Sequence, residues 1–240
     1  IEDPIDASTS GAGLTWVSNC FTPGKIDINL DNYHWNFTIQ RLCTDGEDYK
    51  SDPRSFNVGE RLLLRNNSFI HRVPTMKGFA NGYIQTPEEK IELKNAIVYQ
   101  AKNHGKDFPN KWIWLHANDI PQFPNASFEI GLMPDENGAS GIFRWAENDE
   151  TNVYATYLGD KVIIELENDN FTFNVEDENG KEVMRGTAAH GDKNMIVFPT
   201  PRNEVFQTPE SFNGQISGYY HGEYFQSDHP AIGIGEKTKN

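Results

Sequence analysis

Turn signals punctuate the second half of the chain at nearly even intervals, and this spacing limits the fold more than any other feature. Glu136-Asn137-Gly138, Gly159-Asp160, Glu178-Asn179-Gly180 and Gly191-Asp192 separate short segments in which apolar and polar residues alternate. Phe171, Phe173 and Val175 alternate with Thr172 and Asn174, and Val153, Ala155 and Tyr157 with Tyr154 and Thr156. Period-two alternation between Gly-, Asn- and Asp-bearing turns is the pattern of antiparallel hairpins. Strands are expected over 140–147, 152–158, 161–168, 171–176, 182–188 and 194–198, with a closing segment at 212–222. Such a series hides its edges by closing into a barrel or packing as a sandwich.

The first half reads differently. Strands are expected at 14–21, 25–30, 35–43 and 61–70, and one helix over 87–103. Thr86 stands at the N-cap of that helix, Pro87 at its first position, and Glu89 completes a capping box. Gly105 then supplies a left-handed C-cap. Leu93, Ile97, Ala101 and His104, spaced by four, four and three, line one helical face. Pro121-Gln122-Phe123-Pro124-Asn125 reads as a linker, giving an N-terminal domain at 1–125 and a C-terminal one at 126–240. The expected fold is mainly β, with an α+β N-terminal part.

The formal net charge of −14 argues against a nucleic-acid partner, because phosphate binding needs a basic patch. The charge is uneven: residues 1–125 hold 15 acids and 13 bases, whereas 126–240 hold 20 acids and 8 bases. No apolar run reaches the length needed to span a bilayer. No positively charged apolar leader stands at Ile1, so any export signal is expected to have been removed. Cys20 and Cys43, the only two cysteines, read as one disulfide made in an oxidising compartment. Its stabilisation would be on the order of 3 kcal/mol.

No G-x-S-x-G elbow, P-loop, H-E-x-x-H or dinucleotide fingerprint is present. Acidic pairs such as Glu165/Glu167 fall at alternate strand positions, where solvated faces carry charge. The chain therefore reads as a binding protein and not an enzyme. The histidines discriminate further. His116 ends the aromatic, apolar segment Lys111-Trp112-Ile113-Trp114-Leu115-His116, and His71 lies beside Arg72, shortly before Lys77, Phe79 and Tyr83. Haem wants apolar and aromatic walls, a neutral imidazole for iron, and Arg, Lys or Tyr for its propionates. A hydrogen-bonded core histidine is the plain alternative for either residue.

The closing segment, Phe212-Asn213-Gly214 with Gly218-Tyr219-Tyr220-His221-Gly222 and Ala231-Ile232-Gly233, resembles the last hairpin of barrels in bacterial transferrin-binding-type surface lipoproteins. Glu223 stands where that pattern has proline. With the disulfide-bearing first half, the chain looks like the hemophilin family of secreted haemophores. That resemblance implies an eight-stranded antiparallel barrel after a small N-terminal ligand domain with one helix. It implies a secreted or cell-surface bacterial protein binding haem b (iron protoporphyrin IX) for iron acquisition. An outer-membrane receptor and an export translocon would be its partners, with haemoglobin as a haem source. His116 is then the first-choice iron ligand and His71 the second. Arg72 and Lys77 are the propionate partners, and Trp114 and Tyr83 complete the pocket. The rival reading is a cofactor-free surface or secreted factor that binds a host protein, such as haemoglobin or a complement regulator. A lipocalin-like carrier is a third.

Overall fold

The computed structural model describes residues 14–16, 19–22, 24–44, 69–105, 109–135, 138–148, 150–167, 170–199 and 205–236. Its first strands are β1 (Leu14–Trp16), β2 (Asn19–Thr22), β3 (Lys25–Leu30), β4 (Tyr33–Cys43), β5 (Phe69–Gln85) and β6 (Lys90–Gly105). Next come β7 (Lys111–Ala117), β8 (Ala126–Asp135), β9 (Gly138–Glu147), β10 (Glu150–Ala155), β11 (Lys161–Glu167) and β12 (Asn170–Glu176). The last are β13 (Glu182–Ala189), β14 (Asn194–Pro199), β15 (Val205–Ser211), β16 (Gln215–Tyr220), β17 (Glu223–Ser227) and β18 (Ala231–Glu236). They form three antiparallel sheets: β1 to β6 in chain order, β10-β9-β8-β7-β18-β15-β14, and β11-β12-β13-β16-β17.

The expected helix at 87–103 is a strand, β6, and the described residues contain no α-helix. Thr86 does make the hydrogen bonds of a cap: its hydroxyl accepts from the amides of Glu88 and Glu89, each at 3.2 Å. The same motif turns the chain from β5 into β6, because Thr86 N–H also donates to Glu89 O at 2.8 Å. The misleading spacing has a specific origin. Ile91, Glu92, Leu93 and Lys94 alternate as a strand should, and then Asn95 takes a positive φ of 51°. The Asn81 side chain braces it, accepting from Asn95 N–H at 3.0 Å and donating to Asn95 Oδ1 at 3.1 Å. This bulge shifts the parity, so Ala96 and Val98 rejoin Leu93 against the buried Ile26, Ile39 and Ala80. A period-two pattern with one slip resembles a helical period.

The second half is likewise not a closed eight-stranded barrel. The 3-10 turn Thr156–Leu158 ends β10 and releases the chain into a different sheet at β11. The alternating strands are thus divided between the seven-stranded and five-stranded sheets, which face each other as a sandwich. Between them lie Leu115, Phe128, Ile130, Phe143 and Trp145 from one sheet and Phe171, Phe173, Val175 and Phe225 from the other. Tyr220 stacks on Trp145 with ring centroids 4.0 Å apart. The Tyr-His-Gly segment that carried the barrel resemblance is turn chemistry: Tyr220 pairs with Glu223. His221 and Gly222 between them have φ of 47° and 85°, as a two-residue primed turn requires.

β7, before the Pro121–Asn125 segment, pairs with β8 on one side and β18 on the other. Its inward face feeds the sandwich core. Its other face looks toward the β1–β6 sheet, and there the polar residues lie.

Candidate active site

Alternation along three neighbouring strands writes a row of ionisable groups across one sheet face. His116 on β7 stands opposite Glu129 on β8, and Glu129 stands opposite Arg144 on β9. Residues on either side of each, Leu115 and Ala117, Phe128 and Ile130, Phe143 and Trp145, point into the sandwich core. The apolar register therefore fixes the polar row, since a one-residue slip would invert both faces.

The β5–β6 hairpin covers the row. His71 on β5 places Nε2 2.7 Å from Glu129 Oε1, and Arg144 Nη1 lies 3.7 Å from Glu129 Oε2. Glu129 is 1% exposed. Burial alone would push its carboxyl up, but His71 and Arg144 outweigh that cost and hold it at about 2. It is an ionised carboxylate in a dry site, so the His71 Nε2–H donates to it. Tyr99 on β6 brings its hydroxyl to 3.4 Å from the same Nε2.

His116 is handled in the opposite way. It is 3% exposed, and burial drives its imidazole down to about 4, with Glu129 opposing the shift. Its Nε2 faces Ser127 Oγ at 3.2 Å and Met76 O at 3.4 Å, which makes Nε2–H the donor. Ser127 Oγ in turn faces the carbonyls of Met76 at 3.0 Å and Ala117 at 3.1 Å. The Tyr99 ring lies 3.9 Å from the His116 ring, and the Trp114 ring stacks parallel to it at 5.9 Å. The site is thus an ionised carboxylate, a partly accessible histidine, a neutral buried histidine and a tyrosine hydroxyl, walled by aromatic rings.

His71, His116 and Trp114 meet in this cluster. Lys77 lies beside it, with its ammonium donating to Pro124 O at 2.8 Å and Ala126 O at 3.3 Å. Burial is the main influence on Lys77 and pulls it below the usual lysine range. Tyr83 lies farther along β5, under the Lys90 ammonium at 4.3 Å. Arg72 pairs in register with Lys102, and its side chain falls outside the described residues. So does the Cys20 side chain, while Cys43 is fully buried against Val73 and Met76. Among the described residues no group of three or more His, Cys, Asp or Glu is placed to hold a metal ion.

Glu129, Arg144, Tyr99 and Ser127 were not foreseen. Glu129 and Arg144 occupy the alternate positions of Phe128-Glu129-Ile130 and Phe143-Arg144-Trp145, where charge ordinarily marks a solvated face. The available signal was that two aromatic-flanked strands, one turn apart, carry opposite charges able to stand in register. An open groove of about 520 Å³ on the outer face of the five-stranded sheet, lined by Arg185, Tyr219 and Tyr224 among others, touches none of these residues.

The described residues form an all-β fold with a buried acid–base cluster between two sheets. A family model described as tocopherol cyclase-like matches residues 16–149, so the chain belongs to the tocopherol cyclase-like family. The matched span contains every residue of the cluster. Over 55 residues the chain is 42% identical to the chloroplastic tocopherol cyclase of Zea mays and 40% identical to the probable tocopherol cyclase of Oryza sativa subsp. japonica. Those residues are 23% of this chain and 11% of each plant protein's length. Kievitone hydratase from Nectria haematococca shares the fold at a TM-score of 0.56 and 12% identity, over 95% of this chain and 65% of that one. An AttH-like protein from Nitrosomonas europaea aligns at a TM-score of 0.49 and 9% identity, over 97% of this chain and 74% of that one.

Family membership corrects the functional reading of the sequence. The hemophilin resemblance, the haemophore with its haem binding and iron acquisition, and the alternative of a cofactor-free host-protein binder are all overturned. So is the exclusion of catalysis, because the family is one of cyclase-like proteins. The absence of known enzyme motifs excluded only chemistries that announce themselves by short contiguous motifs. This cluster is assembled from five strands.

Proposed function

We propose that the chain is an acid–base catalyst that adds an O–H bond across a carbon–carbon double bond of an apolar substrate. The pairing of His71 with the buried carboxylate Glu129 at 2.7 Å carries this reading. An imidazole on a dry, ionised carboxylate can take up a proton and pass it on, as general acid–base catalysis needs. Protonating one alkene carbon leaves a cation on the other. The faces of Tyr99 and Trp114 and the charge of Glu129 stabilise that cation. An oxygen then adds to the cationic carbon and returns its proton to the cluster, so nothing is oxidised or reduced. If the oxygen is the substrate's own hydroxyl a ring closes, which fits a cyclase-like family; if it is water, a hydrate forms.

The test uses 2-prenylphenol, which carries both a hydroxyl and an alkene. Wild-type protein converts it to an isomer of equal mass by ring closure, or to a hydrate heavier by one water, and His71→Ala lowers the rate by about 100-fold or more. Conversion that is equally fast with His71→Ala removes the cluster from the reaction.

A further inference from the structure

The outer face of the five-stranded sheet carries two unlike walls. Ile164, Phe173, Gly186, Gly218 and Phe225 stand in register across β11, β12, β13, β16 and β17. Ile164, Phe173 and Phe225 of that row lie in the sandwich core, so the rows on either side of it point outward. One outward row runs through Asn174, Arg185, Tyr219 and Tyr224, and the other through Thr172, Thr187 and Ser217. Long side chains on one row and short hydroxyls on the other border the groove of about 520 Å³. It crosses all five strands, a length of roughly 19 Å at ~4.8 Å per strand.

The tall wall is braced. The Arg185 guanidinium lies over the Tyr219 ring at 5.1 Å, and Tyr219 meets Tyr224 edge to face at 5.6 Å. The Tyr224 hydroxyl donates to Gln226 Oε1 at 3.1 Å. Tyr219 and Tyr224 nevertheless stay 41% and 46% exposed. The low wall is polar and unengaged: no hydrogen bond occupies the Thr187 or Ser217 hydroxyl among the described residues. Asn174 Oδ1 is buried without a hydrogen-bond partner, a costly condition for an amide. Rotation about its soft χ2 torsion would present either end of that amide to the groove.

Charge narrows the occupant. The lining holds one cation, Arg185, and one carboxylate, Glu165, and Arg185 is already paired with Glu182 at 3.3 Å. The groove therefore suits a neutral ligand. A molecule with apolar C–H faces and hydroxyl edges meets both walls at once, because C–H bonds pack on the electron-rich tyrosine faces while hydroxyls pair with the low wall. A pyranose ring has this form, and the length of the groove takes several in a row.

We propose that this groove is a saccharide-binding site for a neutral oligosaccharide of pyranose rings. The rings stack on Tyr219 and Tyr224, and their hydroxyls bond to Thr187, Ser217 and Asn174. The site lies on a different sheet from His71, Glu129 and His116, and it does not depend on the addition chemistry.

Calorimetric titration with cellohexaose, maltohexaose, mannohexaose and N-acetylchitohexaose tests the site. These probes differ in linkage and hydroxyl stereochemistry and share neutral pyranose rings. Wild-type protein is expected to bind at least one of them saturably, at a single site. Tyr224→Ala should weaken that binding about tenfold, the loss expected for one stacked ring, and Tyr224→Phe should retain most of it. The melting temperature should not change, since Tyr224 is half-exposed and outside the core. His71→Ala should bind the saccharide as wild type does. Absence of binding to all four probes, or binding equally strong in Tyr224→Ala, overturns the proposal. Binding lost in His71→Ala would put the saccharide at the acid–base cluster and overturns it as well.

Discussion

Two buried ionisable residues set the chemistry of this site, and each is held in one protonation state by a different cause. Glu129 stays ionised because His71 and Arg144 outweigh its burial, and His116 stays neutral because burial dominates. Glu129→Gln keeps the shape and removes the charge; it should lower turnover by about 100-fold or more. It should also cost roughly 3 kcal/mol or more in stability by leaving Arg144 buried without its counter-ion, measurable by urea unfolding. His116 gives a pH signature. Its folded pKa of about 4 lies below the ordinary 6.5, so the unfolded chain binds the extra proton more readily between those values. The stability it contributes is full above pH 6.5 and is lost as pH falls toward 4, a change of roughly 3 kcal/mol. In His116→Asn the part of the stability–pH slope between 4 and 6.5 that is due to this residue should vanish. An unchanged slope would mean that His116 is not buried neutral.

At the scale of elements, the long β5–β6 hairpin is what lays His71 and Tyr99 over the cluster. Gly82 lies where β5 crosses β4, with φ at 145° and a Cβ that would sit 2.2 Å from Asn36 O. Gly82→Ala should therefore destabilise by more than about 1 kcal/mol and loosen amide protection along β4, β5 and β6 before the sandwich. Protection that is lost uniformly would contradict a separate role for the hairpin. The strand periods were legible where alternation ran unbroken: β3 was expected at its observed bounds, and β11, β12 and β13 within a residue or so. Legibility failed at Asn95, where one bulge turned period two into an apparent period near four, and Thr86 added a turn that imitates a helix cap. His71 and His116 stood out because an imidazole among tryptophans is conspicuous. Glu129 and Arg144 did not, because only the register between β8 and β9 shows that their face is covered.

On the scale of the whole molecule, one sheet serves two purposes. Its inner face closes the sandwich with Phe128, Phe143 and Trp145, and its outer face carries the reactive groups against the β1–β6 sheet. Trp145→Ala should cost about 3–5 kcal/mol and weaken the site as well, since Trp145 sits beside Arg144 on β9; global unfolding and turnover should fall together. The period of the strands was readable from spacing over much of the second half, but their number was not, since β8 and β15 fall outside every expected strand, and which sheet each joins depends on contacts between distant segments, such as β7 with β18. A barrel and a sandwich differ there and nowhere in local pattern. In the proposed reaction the His71–Glu129 pair delivers a proton to carbon. Running the 2-prenylphenol reaction in ²H₂O and locating deuterium in the product tests it most directly. One non-exchangeable deuterium on the former alkene carbon with wild type, formed far more slowly with Glu129→Gln, is the predicted result. Product with no carbon-bound deuterium, or deuterium gained equally fast by both proteins, would contradict it.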